Sequence, residues 1–229
     1  MKKSLVSMKN NIIEAGKRAY ARGYIASNDG NISMRIDAKS ILITPTGISK
    51  GFMKVSDLVL VDMSGRVIGG KKKPSSELFM HLQIYKERKD VHSVCHLHPP
   101  YATGFSVAGI PLDQDVLSEA VIALGKVPLV EYGTPGSEEL YCKLLFHLRD
   151  SDGFLLANHG ALTVGKDIFD AYNRMETLEH VAQIVFIAKQ LGNLNILSAE
   201  QVQKLTALRE KFGIKTNARV HSGKIDFAE

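Results

Sequence analysis

The sequence predicts an α/β protein, and three observations support that fold class. Apolar residues recur at spacings of three and four in several segments, as they do in amphipathic helices. Short apolar or alternating segments bounded by turn residues lie between them, as expected for strands. Of the 229 residues, 45% are hydrophobic and 23% are charged, which is typical of a globular protein with a sizeable core. Neither an internal repeat nor a low-complexity linker interrupts the pattern, so a single domain over residues 1–229 is expected.

The first third of the chain predicts one helix followed by two hairpins. Helical periodicity runs from Leu5 to Tyr24, and the helix is expected to end near Gly23. Two pairs of short apolar segments follow, each pair separated by a turn: residues 32–36 with 40–43, and residues 58–62 with 66–68.

Helices and strands continue to alternate after this region. A helical pattern follows Pro74-Ser75-Ser76, and either serine is suited to cap it. Residues 91–98 predict a strand, which Pro99-Pro100 is expected to stop because proline cannot continue a ladder. The later pattern predicts helices at residues 117–124, 138–148, 168–191 and 199–212, and strands near residues 127–130, 154–157 and 161–164.

The net charge of +5, with a sequence pI near 9.1, suits phosphate-bearing small molecules as well as nucleic acid. No stacked aromatic pattern or nucleic-acid motif accompanies this charge, so no nucleic-acid partner is expected. The basic run Lys71-Lys72-Lys73 is interpreted as a solvated loop.

Several features predict a soluble, cytoplasmic protein with no membrane partner. A membrane span needs about 20 mostly apolar residues, and uncharged apolar stretches such as residues 181–188 are less than half that length. The basic start Met1-Lys2-Lys3 is not followed by the apolar core of an export signal. Cys95 and Cys142 form no paired motif, which suits a reducing compartment, and both are interpreted as buried thiols.

A His-x-His pair lies on the predicted strand at residues 91–98. Residues two apart on a strand point to the same face, so His96 and His98 could chelate a metal ion together. A catalytic zinc typically has three protein ligands, and His159, in a turn after a buried strand, is the best third candidate. His92 shares the parity of His96 but would lie about 13 Å away. The remaining histidines are interpreted as surface or structural: His81, His147, His180 and His221.

Glu77 stands at the start of the helix that follows Ser75 and Ser76. Two interpretations stay open: a carboxylate placed favourably on the helix dipole, or a catalytic base beside a phosphate site made from hydroxyls and backbone N–H groups. The turn Thr44-Pro45-Thr46-Gly47 could offer further N–H groups to the same anion, and Asn31 could offer an amide.

Six short motifs carry these candidates in order along the chain: Gly30-Asn31-Ile32-Ser33, Thr44-Pro45-Thr46-Gly47, Pro74-Ser75-Ser76-Glu77, His96-Leu97-His98-Pro99, Tyr132-Gly133-Thr134 and Asn158-His159-Gly160. Taken together, over about residues 11–212, they resemble the class II aldolase/adducin family. The resemblance implies a three-layer α/β/α fold around a central, mainly antiparallel sheet. It also implies a homotetramer with active sites at subunit interfaces.

The resemblance assigns roles to individual residues. His96, His98 and His159 are the implied metal ligands, with zinc as the expected ion and another divalent transition metal as the alternative. Glu77 is the implied catalytic acid/base. The residues implied to bind the substrate phosphate are Asn31, Thr46, Gly47, Ser75 and Ser76.

The implied activity is the reversible cleavage of a ketose 1-phosphate, such as L-fuculose 1-phosphate, to dihydroxyacetone phosphate and an aldehyde through a metal-stabilised enediolate. Dehydratases, 4-epimerases and decarboxylases of sugar phosphates occur in the same family and are alternatives. A non-catalytic, adducin-like scaffold is a further alternative, although the presence of every candidate ligand and of Glu77 speaks against it.

One position departs from the fuculose-phosphate aldolases of the family. Where those enzymes have a catalytic tyrosine, this chain has Glu119, six residues before Gly125. The family's dehydratases resemble the chain here, with a glutamate as acid/base, so Glu119 is either a second catalytic proton carrier or an ordinary helix carboxylate. Residues 213–229 form a tail that either folds over a neighbouring active site, as in similar aldolases, or is loose.

Overall fold

The computed structural model describes residues 4–211. The tail at residues 213–229 lies outside the described residues, and the single-domain organisation stays a prediction. The helices are α1 Leu5–Ala21, α2 Leu78–Glu87, α3 Pro100–Val107, α4 Ser118–Ala123, α5 Glu138–Leu148, α6 Ile168–Leu191 and α7 Ala199–Lys211. The strands are β1 Asn31–Arg35, β2 Ser40–Ile43, β3 Val59–Asp62, β4 Val67–Gly69, β5 Ser93–Leu97, β6 Leu129–Val130, β7 Gly153–Leu156 and β8 Gly160–Gly165.

The strands form one sheet in the order β4-β3-β2-β1-β5-β8-β7-β6. Every neighbouring pair is antiparallel except β6 and β7, which are parallel. One apolar core lies between the sheet and α1, α3, α4 and α6, and a second lies between the opposite face and α2 and α5. The expected α/β/α layers around a mainly antiparallel sheet are therefore confirmed.

Strand β1 shows how the sheet separates these two cores. Ile32 and Met34 pack into the first core, whereas Asn31 and Ser33 point to the α2 side, because successive side chains of a strand alternate between faces. Asn31 pairs with His96 of β5 in the antiparallel register. Directly opposed residues lie on the same face of a sheet, so this register brings an N-terminal motif and the His-x-His motif together.

The N-cap of helix α2 lies one residue after Ser76, the later of its two predicted caps. Glu77 itself is the N-cap, and its side chain makes no capping hydrogen bond. Ser75 Oγ accepts a hydrogen bond from the Glu77 N–H at 3.2 Å, so the prediction that Ser75 or Ser76 is the N-cap was wrong. The Glu77 side chain is thereby free to point toward the sheet.

One further prediction needs correction, and one helix was not predicted. Pro99-Pro100 does stop strand β5, which ends at Leu97, but helix α3 begins at Pro100. Proline is well tolerated in the first turn of a helix because its missing N–H has no intrahelical partner there. Cys95 is buried as expected, whereas Cys142 is exposed, and both are free thiols.

The predicted solvated loop at Lys71, Lys72 and Lys73 is exposed along its whole length. Among the helices described between residues 4 and 211, none combines the length and apolar character needed to cross a membrane.

Candidate active site

Three histidine side chains converge at the C-terminal end of β5. His96 lies on the strand, His98 follows its last residue, and His159 lies in the turn between β7 and β8. Nε2 of His96 is 3.2 Å from Nε2 of His159 and 3.4 Å from Nε2 of His98. One possible ligand atom from each residue lies within 4.8 Å of the others. His92, the fourth histidine of this region, is exposed and lies outside this group.

The chemistry of these nitrogens suits a divalent transition metal. A tetrahedral zinc ion with nitrogen ligands at about 2.0–2.1 Å separates those nitrogens by about 3.3 Å, which matches the two Nε2 distances. Burial, aided by its two histidine neighbours, lowers the pKa of His98 to about 3, and burial lowers the pKa of His159 to about 4. Both imidazoles are therefore neutral at pH 7, the form in which histidine binds metals.

His96 is oriented by a backbone hydrogen bond. Its Nδ1 donates to the carbonyl oxygen of Ala161 at 2.9 Å, the kind of outer contact that fixes the ring of a metal-binding histidine. Nε2 is then left to bind a proton or a cation on the side that faces Glu77. The residues present thus fit a metal ion held by His96, His98 and His159.

Two glycines permit the close packing around these ligands. A Cβ at Gly30 would lie 2.8 Å from the carbonyl oxygen of His96, and Gly30 also has a φ of +69°. A Cβ at Gly160 would lie 2.5 Å from Cδ2 of His98 and 2.7 Å from the carbonyl oxygen of Leu97. Both glycines therefore allow the backbone to approach the histidine-bearing strand closely.

Glu77 lies directly beside the histidines. Its Oε2 is 3.1 Å from Nε2 of His96 and accepts a hydrogen bond from Nδ2 of Asn31 at 2.7 Å. Its Oε1 is buried, 3.6 Å from Nε2 of His159, and has no hydrogen-bond partner within residues 4–211. An unpartnered buried carboxylate oxygen is costly, so Oε1 is available to a metal ion or to a substrate proton.

The charges of this group are mutually dependent. Burial acts to raise the pKa of Glu77, but His96, His159 and the hydrogen bond from Asn31 together hold it far below its ordinary value. Burial likewise acts to lower the pKa of His96, yet the Glu77 carboxylate and its hydrogen bond raise it overall. Each group stabilises the charged form of the other, and Glu77 is ionised at neutral pH.

A buried chain of hydrogen bonds holds the Asn31 side chain in place on the side away from Glu77 Oε2. Asn31 Oδ1 accepts from Nε2 of His81 at 2.5 Å, because the Asn31 amide nitrogen is donating to Glu77. With its proton on Nε2, His81 accepts at Nδ1 from the Ser33 hydroxyl at 2.6 Å, and Ser33 accepts from Tyr85 at 2.8 Å. Burial lowers the pKa of His81 to about 3, so this histidine stays neutral.

The five predicted phosphate ligands line one cavity with the catalytic candidates. The cavity has a volume of about 230 Å³, and its lining includes Asn31, Thr46, Gly47, Ser75, Ser76, Glu77, His98 and His159. Two backbone hydrogen bonds hold the turn and the serine segment side by side: Thr46 N–H donates to Lys73, and Ser75 N–H donates to Thr44, both at 3.1 Å. Asn31 has only one N–H left for a ligand, since its Oδ1 and its other N–H belong to the network above.

Glu119 is not part of this cavity within one chain. It lies in the first turn of α4, is exposed, and is absent from the cavity lining. Its catalytic role stays a prediction that requires a contribution from a second copy.

Sequence reasoning missed several residues that complete the site. His81 could have been linked to Glu77 by its spacing of four on one helical face. Asp29, whose Oδ2 is 3.7 Å from Nδ1 of His98, is next to the Gly30-Asn31 motif. Lys50, Asn28 and Pro135 also line the cavity, and no motif pointed to them.

Comparisons with known proteins point to one family. The family model described as Class II Aldolase and Adducin N-terminal domain matches residues 10–186. An L-fuculose phosphate aldolase of Methanococcus maripaludis strain C7 is 40% identical over 181 residues, covering 79% of this chain and 97% of that protein.

The similar proteins also include one that is named for a second activity. A 3-oxo-tetronate 4-phosphate decarboxylase of Haemophilus influenzae is 36% identical over 186 residues, covering 79% of this chain and 88% of that protein. A solved structure of an L-fuculose 1-phosphate aldolase superposes with a TM-score of 0.81 at 34% identity, covering 90% of this chain and 96% of that one.

Proposed function

Because the chain belongs to the class II aldolase and adducin family, we propose that it is a metal-dependent aldolase. Its proposed reaction is the reversible cleavage of a ketose 1-phosphate, similar to L-fuculose 1-phosphate, to dihydroxyacetone phosphate and an aldehyde. The observation that carries this proposal is the position of Glu77. Its ionised carboxylate lies next to His96 and His159 and lines the cavity, with Oε1 unpartnered among residues 4–211.

His96, His98 and His159 would hold the metal ion, for which we propose zinc. When bound, a divalent ion supplies a Lewis acid that stabilises negative charge on substrate oxygens. The protein's part is to hold the three imidazoles in place and to keep Glu77 and the substrate next to them.

Glu77 is the proposed acid/base. In the direction of synthesis it accepts a proton from the hydroxymethyl carbon of dihydroxyacetone phosphate, and that carbon then forms a bond to the aldehyde carbon. In the direction of cleavage the same carboxyl group returns the proton to that carbon. A carboxylate is competent to accept a proton at neutral pH only while ionised, and the low pKa of Glu77 ensures this state.

Glu119 is the proposed donor of the second proton, which the aldehyde oxygen takes up during synthesis. Since Glu119 is exposed and outside the cavity of its own chain, this role requires an active site shared between subunits. We therefore propose a homotetramer with active sites at its interfaces.

The free thiols of Cys95 and Cys142 support a location in the reducing cytoplasm.

The substrate phosphate is proposed to bind to the turn and the two serines that line the same cavity as Glu77. Thr46, Gly47, Ser75 and Ser76 offer hydroxyl and backbone N–H groups there, next to the N-terminus of α2. Such a site suits an anion. Binding energy at the phosphate group orients the reacting carbon toward Glu77.

A decarboxylase is the second candidate, favoured by the similarity to the Haemophilus influenzae protein. Loss of carbon dioxide from a 3-oxo-tetronate 4-phosphate also leaves the carbanion of dihydroxyacetone phosphate, which then takes up a proton. The two activities therefore share the phosphate site, the metal and the proton transfer by Glu77. They differ in the fragment that leaves.

The first test is deuterium exchange at carbon 3 of dihydroxyacetone phosphate, followed by NMR in heavy water. Stereospecific exchange by the metal-loaded protein, abolished by a chelator, is the expected result. No exchange by a folded, metal-loaded protein would overturn the proposed chemistry. A screen of aldehydes with dihydroxyacetone phosphate then separates the candidates, because only the aldolase forms a new carbon–carbon bond, whereas the decarboxylase releases carbon dioxide from the oxo acid.

A further inference from the structure

Lys50 places a buried ammonium group in the wall of the active-site cavity. The residue is only 2% exposed, yet it is among the residues that line this cavity. Its Nζ donates a hydrogen bond to the backbone carbonyl of Asn28. An ammonium group has three N–H donors, and within residues 4–211 no second hydrogen-bond acceptor for Nζ is found. Lys50 therefore retains donors for a ligand.

The backbone around Lys50 is fixed by close packing. Gly16 of α1 lies so near that a Cβ there would be 2.6 Å from the Lys50 carbonyl oxygen and 3.2 Å from the Lys50 Cβ. The side chain consequently starts from a position held against α1 and extends to the cavity. Burial lowers the pKa of Lys50 to about 8, although Asp29 and Glu77 act to raise it, so the group is still mainly charged at pH 7. A buried charge with incomplete hydrogen bonding is costly unless a ligand compensates it.

Lys50 is also the one lysine or arginine among the residues described as lining the cavity. The other charged side chains of the lining are the carboxylates of Asp29 and Glu77, which repel an anion. The nearby Lys71, Lys72 and Lys73 are exposed and do not line the cavity. A doubly charged phosphate in this cavity thus has one basic side chain available to it.

We propose that Lys50 binds the phosphate group of the substrate and thereby selects phosphorylated over unphosphorylated sugars. This inference rests on the proposed function, because it assumes that the cavity takes a sugar phosphate. It adds a full positive charge to a set of neutral donors, Thr46, Gly47, Ser75 and Ser76, whose attraction for an anion otherwise comes only from hydrogen bonds and the N-terminus of α2.

The test compares Lys50→Met with the wild type by calorimetric titration of the metal-loaded, full-length protein. Methionine keeps the apolar stem of the side chain and removes the charge. Hydrogen bonds to charged groups predict that Lys50→Met binds dihydroxyacetone phosphate about ten- to hundredfold more weakly. The affinity for unphosphorylated dihydroxyacetone should stay the same. Lys54→Met, a change at an exposed lysine four residues away, is the matched control and should change neither affinity.

The outcomes separate this inference from the proposed function. If the wild type binds dihydroxyacetone as tightly as its phosphate, the cavity is not a phosphate site and both proposals fail. If the wild type prefers the phosphate and Lys50→Met retains that preference, only the role of Lys50 is overturned. Should Lys50→Met fail to fold, Lys50→Arg keeps the positive charge and should retain phosphate binding to within a few-fold. Loss of the preference in a folded Lys50→Arg protein would show that charge is not the cause.

Discussion

Nε2 of His159 lies 3.2 Å from Nε2 of His96, although the two residues are 63 positions apart in the sequence. The sheet produces this proximity, because β8 pairs with β5 and the turn that precedes β8 carries His159 to the end of the His-x-His strand. Nδ1 of His159 is buried and has no hydrogen-bond partner within residues 4–211. A hydrogen bond at Nδ1 therefore does not fix the orientation of this ring, whose Nε2 faces Nε2 of His96 and Oε1 of Glu77.

We expect His159→Ala to lose metal. Removing one of three imidazoles should weaken metal binding by at least about a hundredfold, since even residues that only support metal ligands contribute ten- to hundredfold. The measurement is the metal content per chain by plasma mass spectrometry after dialysis. His92→Ala, at an exposed histidine outside the group, is the control and should keep its metal. Full occupancy in a folded His159→Ala protein would contradict the assignment.

Glu77→Gln should separate metal binding from turnover. Glutamine has nearly the same shape and can still contact Asn31 and His96, but it cannot accept the substrate proton. We expect the metal content to stay close to that of the wild type, while kcat falls by about 10²–10⁴-fold, the usual contribution of a general base. Exchange at carbon 3 of dihydroxyacetone phosphate measures this step alone. A Glu77→Gln protein that exchanges at the wild-type rate would exclude Glu77 as the base.

Glu119→Gln should affect a different step. If Glu119 protonates the aldehyde oxygen, its loss slows aldol synthesis but leaves exchange at carbon 3 unchanged, because that exchange requires no aldehyde. The substitution is at an exposed position of α4, so the free energy of unfolding should change by less than about 0.5 kcal/mol. Both rates are measured on the same preparation. Equal synthesis rates for Glu119→Gln and the wild type would make Glu119 an ordinary helix carboxylate.

Much of the fold could be predicted because local periodicity and capping determine its longer elements. Helices α5 and α6 begin and end where the sequence predicts, and their caps Ser137 and Asp167 each accept hydrogen bonds from the first turn. Helix α3 was missed because Pro100 was interpreted only as the end of a strand. The distinction between a proline that ends one element and a proline that begins the next depends on the following residues, whose helical pattern here is short.

The site was predictable to the extent that its parts are close in sequence. His96 and His98 follow from a spacing of two, and Glu77 follows from its place before a helix. The contact between Asn31 and His81 joins residues 50 positions apart, and it depends on how α2 packs on β1. No sequence motif around Lys50 indicates that it lines the cavity. Its position depends on the close packing of its backbone against Gly16 of α1. Tertiary packing therefore decides the parts of the site that the sequence pattern did not indicate.

Buried His81 should make the protein sensitive to acid. Its pKa is about 3 in the folded protein and 6.5 as the ordinary value, so the unfolded chain binds a proton in a pH range where the folded protein does not. Above pH 6.5 the neutral His81 does not reduce the free energy of unfolding. As the pH falls from 6.5 toward 3, the free energy of unfolding decreases by about 1.4 kcal/mol per pH unit for this one proton. His81→Gln can replace hydrogen bonds to Asn31 and Ser33 but does not titrate, so its unfolding free energy should fall less steeply between pH 6 and pH 4.

Urea denaturation of the chelated protein across this range measures the two slopes without a contribution from metal loss. His92→Gln, at an exposed histidine, should keep the wild-type slope, and identical slopes for His81→Gln and the wild type would show that His81 is not the buried neutral group described above.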